Sequence, residues 1–93
     1  MSMTENITNN IDQSRFELTE QGHTAYADYA QKGAVLSIKY VFSPEALRGQ
    51  GTAGRLMAEI AAIAHAENLK IVPICGYAAS WLRKHKEHHD LIA

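Results

Sequence analysis

Polar and apolar residues alternate with different rhythms along the chain, and each rhythm predicts an element. Residues 1–13 are polar and asparagine-rich, with Ile7 and Ile11 isolated, so a flexible N-terminal tail is expected. From Arg15 the period is two. Phe16 and Leu18 share one side of Arg15-Phe16-Glu17-Leu18-Thr19, the pattern of a half-buried strand. Glu20-Gln21-Gly22 reads as a turn, His23 to Gln31 as a second strand rich in Ala and Tyr, and Lys32-Gly33 as a tight turn. Ala34 to Ser43 is the clearest strand, with Leu36, Ile38, Tyr40 and Phe42 alternating with Val35, Ser37, Lys39 and Val41. Three strands joined by short turns predict an antiparallel meander.

Pro44 ends the third strand, because its ring removes a ladder donor. The rhythm then becomes helical from about Thr52 to Glu67. Leu56, Ile60 and Ile63 form a stripe, Met57, Ala61 and Ala64 lie beside it, and Glu59 and Glu67 are expected to face away. Such a helix is roughly 24 Å long, enough to cross a sheet. Asn68 suits its C-terminal cap. Leu69 to Ile74 is an almost unbroken apolar run, as expected of a buried strand parallel to the one before the helix, and strand-helix-strand makes one crossover unit. After Cys75-Gly76, a second helix is predicted from Tyr77 to about His85, burying Ala78, Trp81 and Leu82. Leu91 and Ile92 are expected to dock back on the core. The fold class is therefore α+β with an α/β-like core: a meander, a β-α-β crossover, then a C-terminal helix.

Composition narrows what such a fold can serve. With 93 residues, one domain is expected, over residues 14–93. A hydrophobic content of 46% allows a core of modest size. The net charge of −1 argues against general nucleic-acid binding, which needs a concentrated basic face. A single cysteine excludes an internal disulfide and points to a reducing, cytoplasmic setting. No leader-like start and no membrane-length apolar run is visible, so no membrane partner is expected. Monomer and homodimer both remain open.

The chemistry concentrates in Arg48-Gly49-Gln50-Gly51-Thr52-Ala53-Gly54, where a helix begins. Small residues there leave backbone N–H groups bare at the positive end of a helix dipole, a site suited to phosphates. Gly49-x-Gly51-x-x-Gly54 has the letters of a dinucleotide fingerprint, but Pro44 to Arg48 separate it from the strand. The next strand, Ile71 to Cys75, also supplies no acidic residue for a ribose. Gly49-x-x-x-x-Gly54 also mimics the start of a P-loop, but Arg55 and Leu56 stand where Lys and Ser or Thr are needed.

A third pattern fits the context. Arg48-x-x-Gly51-x-Ala53 resembles the acetyl-CoA pyrophosphate motif of the GNAT N-acetyltransferase superfamily, following an apolar strand and a Pro-containing turn and opening a helix. Pro73-x-Cys75-x-Tyr77, Trp81-Leu82, Arg83-x-His85 and Asp90-Leu91 resemble the minimal single-domain members, so the likeness runs from about Arg15 to Ile92. It implies a truncated GNAT fold, acetyl-CoA as cofactor on residues 48–54, and an amine acceptor of unspecified identity. It also implies that the strand edge at Val41 and Phe42 pairs with the pantetheine arm like an added strand. The helical segment that larger relatives carry between their first two strands is missing here, which implies an open acceptor face.

Within the loop, Gly51 and Ala53 permit close approach, Arg48 adds charge and the Thr52 hydroxyl offers a hydrogen bond. Cys75 lies at a strand end before a helix, where the dipole favours thiolate. The resemblance suggests it as an acetyl-carrying nucleophile, against the alternative of a small buried apolar residue. Tyr77 is a candidate acid for the departing CoA thiolate, or else a core tyrosine with a wet hydroxyl. Glu45 and His65 are candidate bases by type alone. His85, His88 and His89 allow an i, i+4 pair, but with no third ligand a solvated face is expected and no metal is assigned. Arg83, Lys84 and Lys86 form a small basic patch, either solvated or reaching a CoA phosphate. Two functions stand side by side: an acetyl-CoA-dependent N-acetyltransferase, and a CoA-binding module without turnover. A structural domain with an idle loop is a third.

Overall fold

The computed structural model describes residues 7–93. One five-stranded sheet runs in the order β1-β2-β3-β4-β5. Its strands are β1 (Ile7–Asn10), β2 (Arg15–Glu20), β3 (His23–Lys32), β4 (Val35–Phe42) and β5 (Lys70–Pro73). Neighbours are antiparallel except β4 and β5, which are parallel and joined through helix α1 (Thr52–Ala66). Helix α2 (Gly76–Lys84) follows β5, and a 3-10 segment at Lys86–Leu91 closes the chain. The predicted meander, crossover and terminal helix are all present. The turn between β2 and β3 holds Gln21 and Gly22 both at positive φ, the two-residue hairpin geometry whose twist matches the strands it joins.

Residues 7–13 correct the expected tail, while residues 1–6 of that tail lie outside the described residues. Ile7 pairs with Leu18 and packs on the core, so a single apolar side chain anchors the strand. The asparagines act as partners within the sheet. Asn9 Oδ1 accepts from the Tyr29 hydroxyl at 2.6 Å, Asn10 Nδ2 donates to Glu17 at 3.1 Å, and Asn10 Oδ1 accepts from the Gln13 N–H. Short polar side chains that hydrogen-bond across a ladder look, in sequence, like a solvated tail.

The second correction lies in β4. Asp28 pairs with Tyr40 and Tyr29 with Ile38, so Lys39 has no counterpart. This bulge reverses the alternation that strict period two predicts. Leu36 and Ile38 are fully buried, but Tyr40 is 50% exposed, and Val41 is the next residue packed on the core. Tyr40 and Phe42 instead gather around Tyr26 on the opposite face, with ring centroids 6.4 and 5.1 Å away.

Helix α1 buries Leu56, Met57, Ile60, Ala61 and Ala64 against the sheet. Ile63 is half-buried beside them. Glu67 is exposed as expected, but Glu59 is half-buried and its Oε1 is shut off from solvent. Asn68 takes a left-handed conformation just past the helix, and the Leu69 N–H bonds the Ala64 carbonyl at 2.8 Å, closing the helix end. Ala78, Trp81 and Leu82 of α2 join the same core. Leu91 docks as predicted, and the Ala93 N–H donates to Ile71 O.

The expected solvated histidine face is also corrected. His85 stacks on Trp81 with centroids 3.9 Å apart, and its Nδ1 lies 2.7 Å from the Trp81 carbonyl oxygen. His88 lies over the same indole and is 3.2 Å from His65. Because α2 stops at Lys84, His85 and His89 do not share a helix. Among the described residues no three His, Cys, Asp or Glu side chains form a metal-binding cluster.

Candidate active site

β4 and β5 separate before β4 ends. Their pairing runs from Val35 with Lys70 to Ile38 with Pro73, and the N–H groups of Ile74 and Cys75 then both donate to the Ile38 carbonyl. Pro73 has no N–H to continue the ladder, and Gly76 starts α2. Among the described residues, no strand pairs with β4 beyond Ile38 on this side, so the edge from Lys39 to Phe42 is open. Val41 points to the core and Phe42 to the outer face. What the edge offers there is backbone.

At the end of that edge lies a cleft of about 230 Å³, lined by Ser43, Leu47, Arg48, Gly49, Gly51, Thr52, Ala53, Gly54 and Tyr77. Leu47 among them is buried. Gly49 and Gly51 both have φ near +80°, a conformation that disfavours residues with a Cβ. Gly51 is the N-cap of α1 and contributes no capping side chain. The first closing bond of the helix is Arg55 N–H to Gly51 O at 3.0 Å. Among the described residues, the N–H groups of Thr52, Ala53 and Gly54 have no backbone or side-chain acceptor, as helix geometry requires of a first turn without a cap. All three residues line the cleft.

Helix α2 closes the other side. A Cβ on Gly54 would stand 3.6 Å from both the Tyr77 hydroxyl and Trp81 Nε1. Helix α2 thus packs in ordinary van der Waals contact with the head of α1 and brings Tyr77 into the cleft lining. Partial burial raises the Tyr77 pKa above its ordinary value near 10, so the phenol is protonated at neutral pH. Among the described residues nothing hydrogen-bonds that hydroxyl.

Not every residue singled out in the sequence arrives here. Arg48, Gly49, Gly51, Thr52, Ala53, Gly54 and Tyr77 do. Gln50 is exposed and turned to the β2–β3 turn, where its Oε1 accepts from Gln21 Nε2 at 2.8 Å. Arg48 folds back, its Nε donating to the Ser43 carbonyl at 3.1 Å. The Thr52 hydroxyl is already engaged, donating to Glu20 Oε1 at 2.7 Å in a side chain only 1% exposed. It is a tether, in place of the phosphate donor expected from the sequence. Cys75 is half-buried against the core and does not line the cleft. Arg83, Lys84 and Lys86 lie at or past the far end of α2, away from the cleft.

Ser43 and Glu20 escape sequence reasoning. Ser43 Oγ is buried without a hydrogen-bond partner among the described residues, in the cleft lining. Its only sequence signal is adjacency to Pro44. Glu20 clasps the loop from 32 and 35 residues away, and nothing local announces it. The Arg55 guanidinium, and then the Thr52 hydroxyl, hold the Glu20 carboxyl well below the ordinary carboxylate range, at about 2. A folded pKa below the ordinary 4.5 means this clasp stabilises the fold fully above that pH and is lost as pH falls towards 2. Acid titration of the melting temperature is therefore expected to show a decline between about 4.5 and 2 that flattens in Glu20→Gln.

These features define a class: an α+β domain with a glycine-rich loop at the head of its crossover helix. The chain belongs to the GCN5-related N-acetyltransferase family, whose family model matches residues 15–91, and it is thus an acetyltransferase by family. It is similar in fold to the NMR solution structure of a candidate GCN5-like N-acetyltransferase from Staphylococcus aureus. That match has a TM-score of 0.74 at 24% identity, covering 100% of this chain and 91% of the other. A search among curated proteins finds no significant match. No helix among the described residues is long and apolar enough to cross a membrane.

Proposed function

We propose that this protein transfers an acetyl group from acetyl-CoA to an amine. The observation that carries the reading is the glycine-lined cleft at the head of α1, where three first-turn N–H groups have no acceptor among the described residues and Tyr77 completes the lining. The cleft suits a pyrophosphate, since three residues with unpaired N–H groups at a helix start line it. Ser43 Oγ, buried without a partner, is a further donor waiting for an acceptor. The open β4 edge at Val41 and Phe42 suits the amide groups of a pantetheine arm.

In this reading residues 48–54 orient the donor through backbone groups, with the Arg48 side chain adding charge. The acceptor nitrogen attacks the acetyl carbonyl, the carbon–sulfur bond breaks, and Tyr77 gives its proton to the departing sulfur. The acceptor's surplus proton leaves to water, which then restores the phenol. The reading includes a place among the minimal members marked by Pro73-x-Cys75-x-Tyr77, and a cytoplasmic setting.

Thermal melting with acetyl-CoA, against NADH and ATP as controls, tests it. Ligand that binds only the folded state raises the melting temperature by mass action. A rise with acetyl-CoA alone is expected, and no rise at millimolar concentration would sink the reading.

Two observations keep other routes in play. The cleft lining contains no carboxylate and no histidine among the described residues. That favours, as second reading, a CoA-binding module without turnover, which product formation across an amine panel would exclude. Cys75 caps α2 where β4 and β5 part, near the open edge, which leaves a thioester relay to be tested. Its packing away from the cleft favours direct attack. Cys75→Ala is therefore expected to retain most activity. An inactive Cys75→Ala, with a hydroxylamine-labile acetyl mass on the wild type, would establish the relay instead.

A further inference from the structure

We infer that Glu20 is a positioning residue for the cofactor loop, an inference that rests on the proposed acetyl-CoA reading. The β2–β3 turn touches this loop on both sides of Gly51. On one side, Glu20 Oε1 accepts from the Thr52 hydroxyl at 2.7 Å and from Arg55 Nη2 at 2.7 Å, while Oε2 accepts from Arg55 Nε at 2.7 Å. On the other, Gln21 donates to Gln50 at 2.8 Å, and Gln50 in turn donates to the Ala46 carbonyl at 3.0 Å. Gly51, at φ +80°, is bracketed between these tethers.

The need for tethers follows from the loop's composition. Glycines at 49, 51 and 54 remove the steric limits that hold other loops in shape. A free loop of this kind would have to be ordered by the cofactor itself, and that ordering would weaken binding. The Glu20 clasp orders it beforehand. Two parts make it firm: a two-pronged arginine–carboxylate pair and, at its centre, an almost wholly buried threonine. The pair also neutralises the carboxylate, which would otherwise repel phosphates nearby.

Charge and geometry make opposite predictions, so the test has a sign. Removing an acidic residue near a polyanion site should tighten binding if only charge matters. It also frees Arg55 to reach a phosphate. Loss of preorganisation should weaken it instead. The experiment is isothermal titration of CoA into wild type, Glu20→Gln and Glu20→Ala, with steady-state rates and amide hydrogen exchange of the ligand-free proteins. Expected for Glu20→Ala are a Kd raised by about tenfold, a kcat at saturating acetyl-CoA within about twofold of wild type, and faster exchange across residues 51–55. Glu20→Gln keeps an oxygen for Thr52 and should fall between, serving as the readable variant should Glu20→Ala not fold.

Unchanged or tighter CoA binding in a folded Glu20 variant would overturn the inference, as would unchanged exchange across the loop. If the wild type itself fails to bind CoA, the functional reading falls. Hydrogen exchange then still decides whether Glu20 holds the loop.

Discussion

Gly51→Glu is expected to leave the protein folded and to weaken acetyl-CoA binding by about a thousandfold. Two unlike costs separate in this substitution. The first is backbone strain. Gly51 sits at φ +80°, where a residue with a Cβ loses about 1–2 kcal/mol. For a domain of this size that lowers the melting temperature by about 4–16 °C. The nearest heavy atom to the new Cβ is Arg55 Nη1 at 3.2 Å, so the guanidinium that Glu20 holds must also give by a few tenths of an ångström. The second cost is charge. A carboxylate at the N-cap of α1 competes for the three free N–H groups and faces the incoming phosphates. Like charges at about 4 Å repel by about 4 kcal/mol at an effective dielectric of about 20, which is about a thousandfold in Kd. Gly51→Ala carries the strain without the charge and should lose far less affinity at a similar melting temperature. Equal, small losses in both variants would show that no anion binds at this helix start.

Tyr77→Phe should reduce kcat by about a hundredfold or more, the usual scale for a positioned acid, while leaving the Kd of acetyl-CoA nearly unchanged. The hydroxyl is the only atom removed, and among the described residues it makes no hydrogen bond whose loss would disturb the fold. It stands 3.6 Å from a notional Gly54 Cβ, and Tyr77 lines the cleft. Partial burial keeps it protonated beyond the ordinary range near 10, so the acid form is present at every pH where the protein is assayed near neutrality. The basic limb of the wild-type rate profile should therefore lie above that value and vanish in the variant. A kcat unaffected by Tyr77→Phe would assign the proton on the leaving sulfur to solvent. A raised Kd with unchanged kcat would make Tyr77 a wall of the binding cleft and nothing more.

Taken together the two variants test separate halves of the reaction. Gly51→Glu acts on docking of the donor, and Tyr77→Phe on its departure. An intermediate result is also informative: a protein that binds acetyl-CoA, loses that binding in Gly51→Glu, and acetylates no amine would be the binding module of the second reading.

Much of this was legible in the residues themselves. Period two in Arg15–Thr19 and Ala34–Ser43, with turn residues between, marked the meander, and apolar spacing of three and four marked α1 to within a residue. Glycines at 49, 51 and 54 at the head of that helix marked the cleft, because bare N–H groups and small residues there have a local meaning. The family model that places the chain among the acetyltransferases spans residues 15–91, this stretch included. Such features depend on neighbours within a few positions, and sequence carries those directly.

Tertiary structure decided what depends on distant partners. Asn9 and Asn10 become part of a strand only because Tyr29 and Glu17 stand across from them. The Lys39 bulge follows from register against β3, and it turns Tyr40 outward and Val41 inward against the simple alternation. Cys75 and Tyr77 are two residues apart, and both were candidates for chemistry. The start of α2 sends the tyrosine to the cleft and leaves the cysteine against the core. Thr52, read locally as a phosphate donor, is claimed by Glu20 across 32 residues. The physical reason is common to all four. A side chain's partner, and so its role, is set by which surfaces the packed sheet brings within hydrogen-bonding reach, and local periodicity holds no information about that.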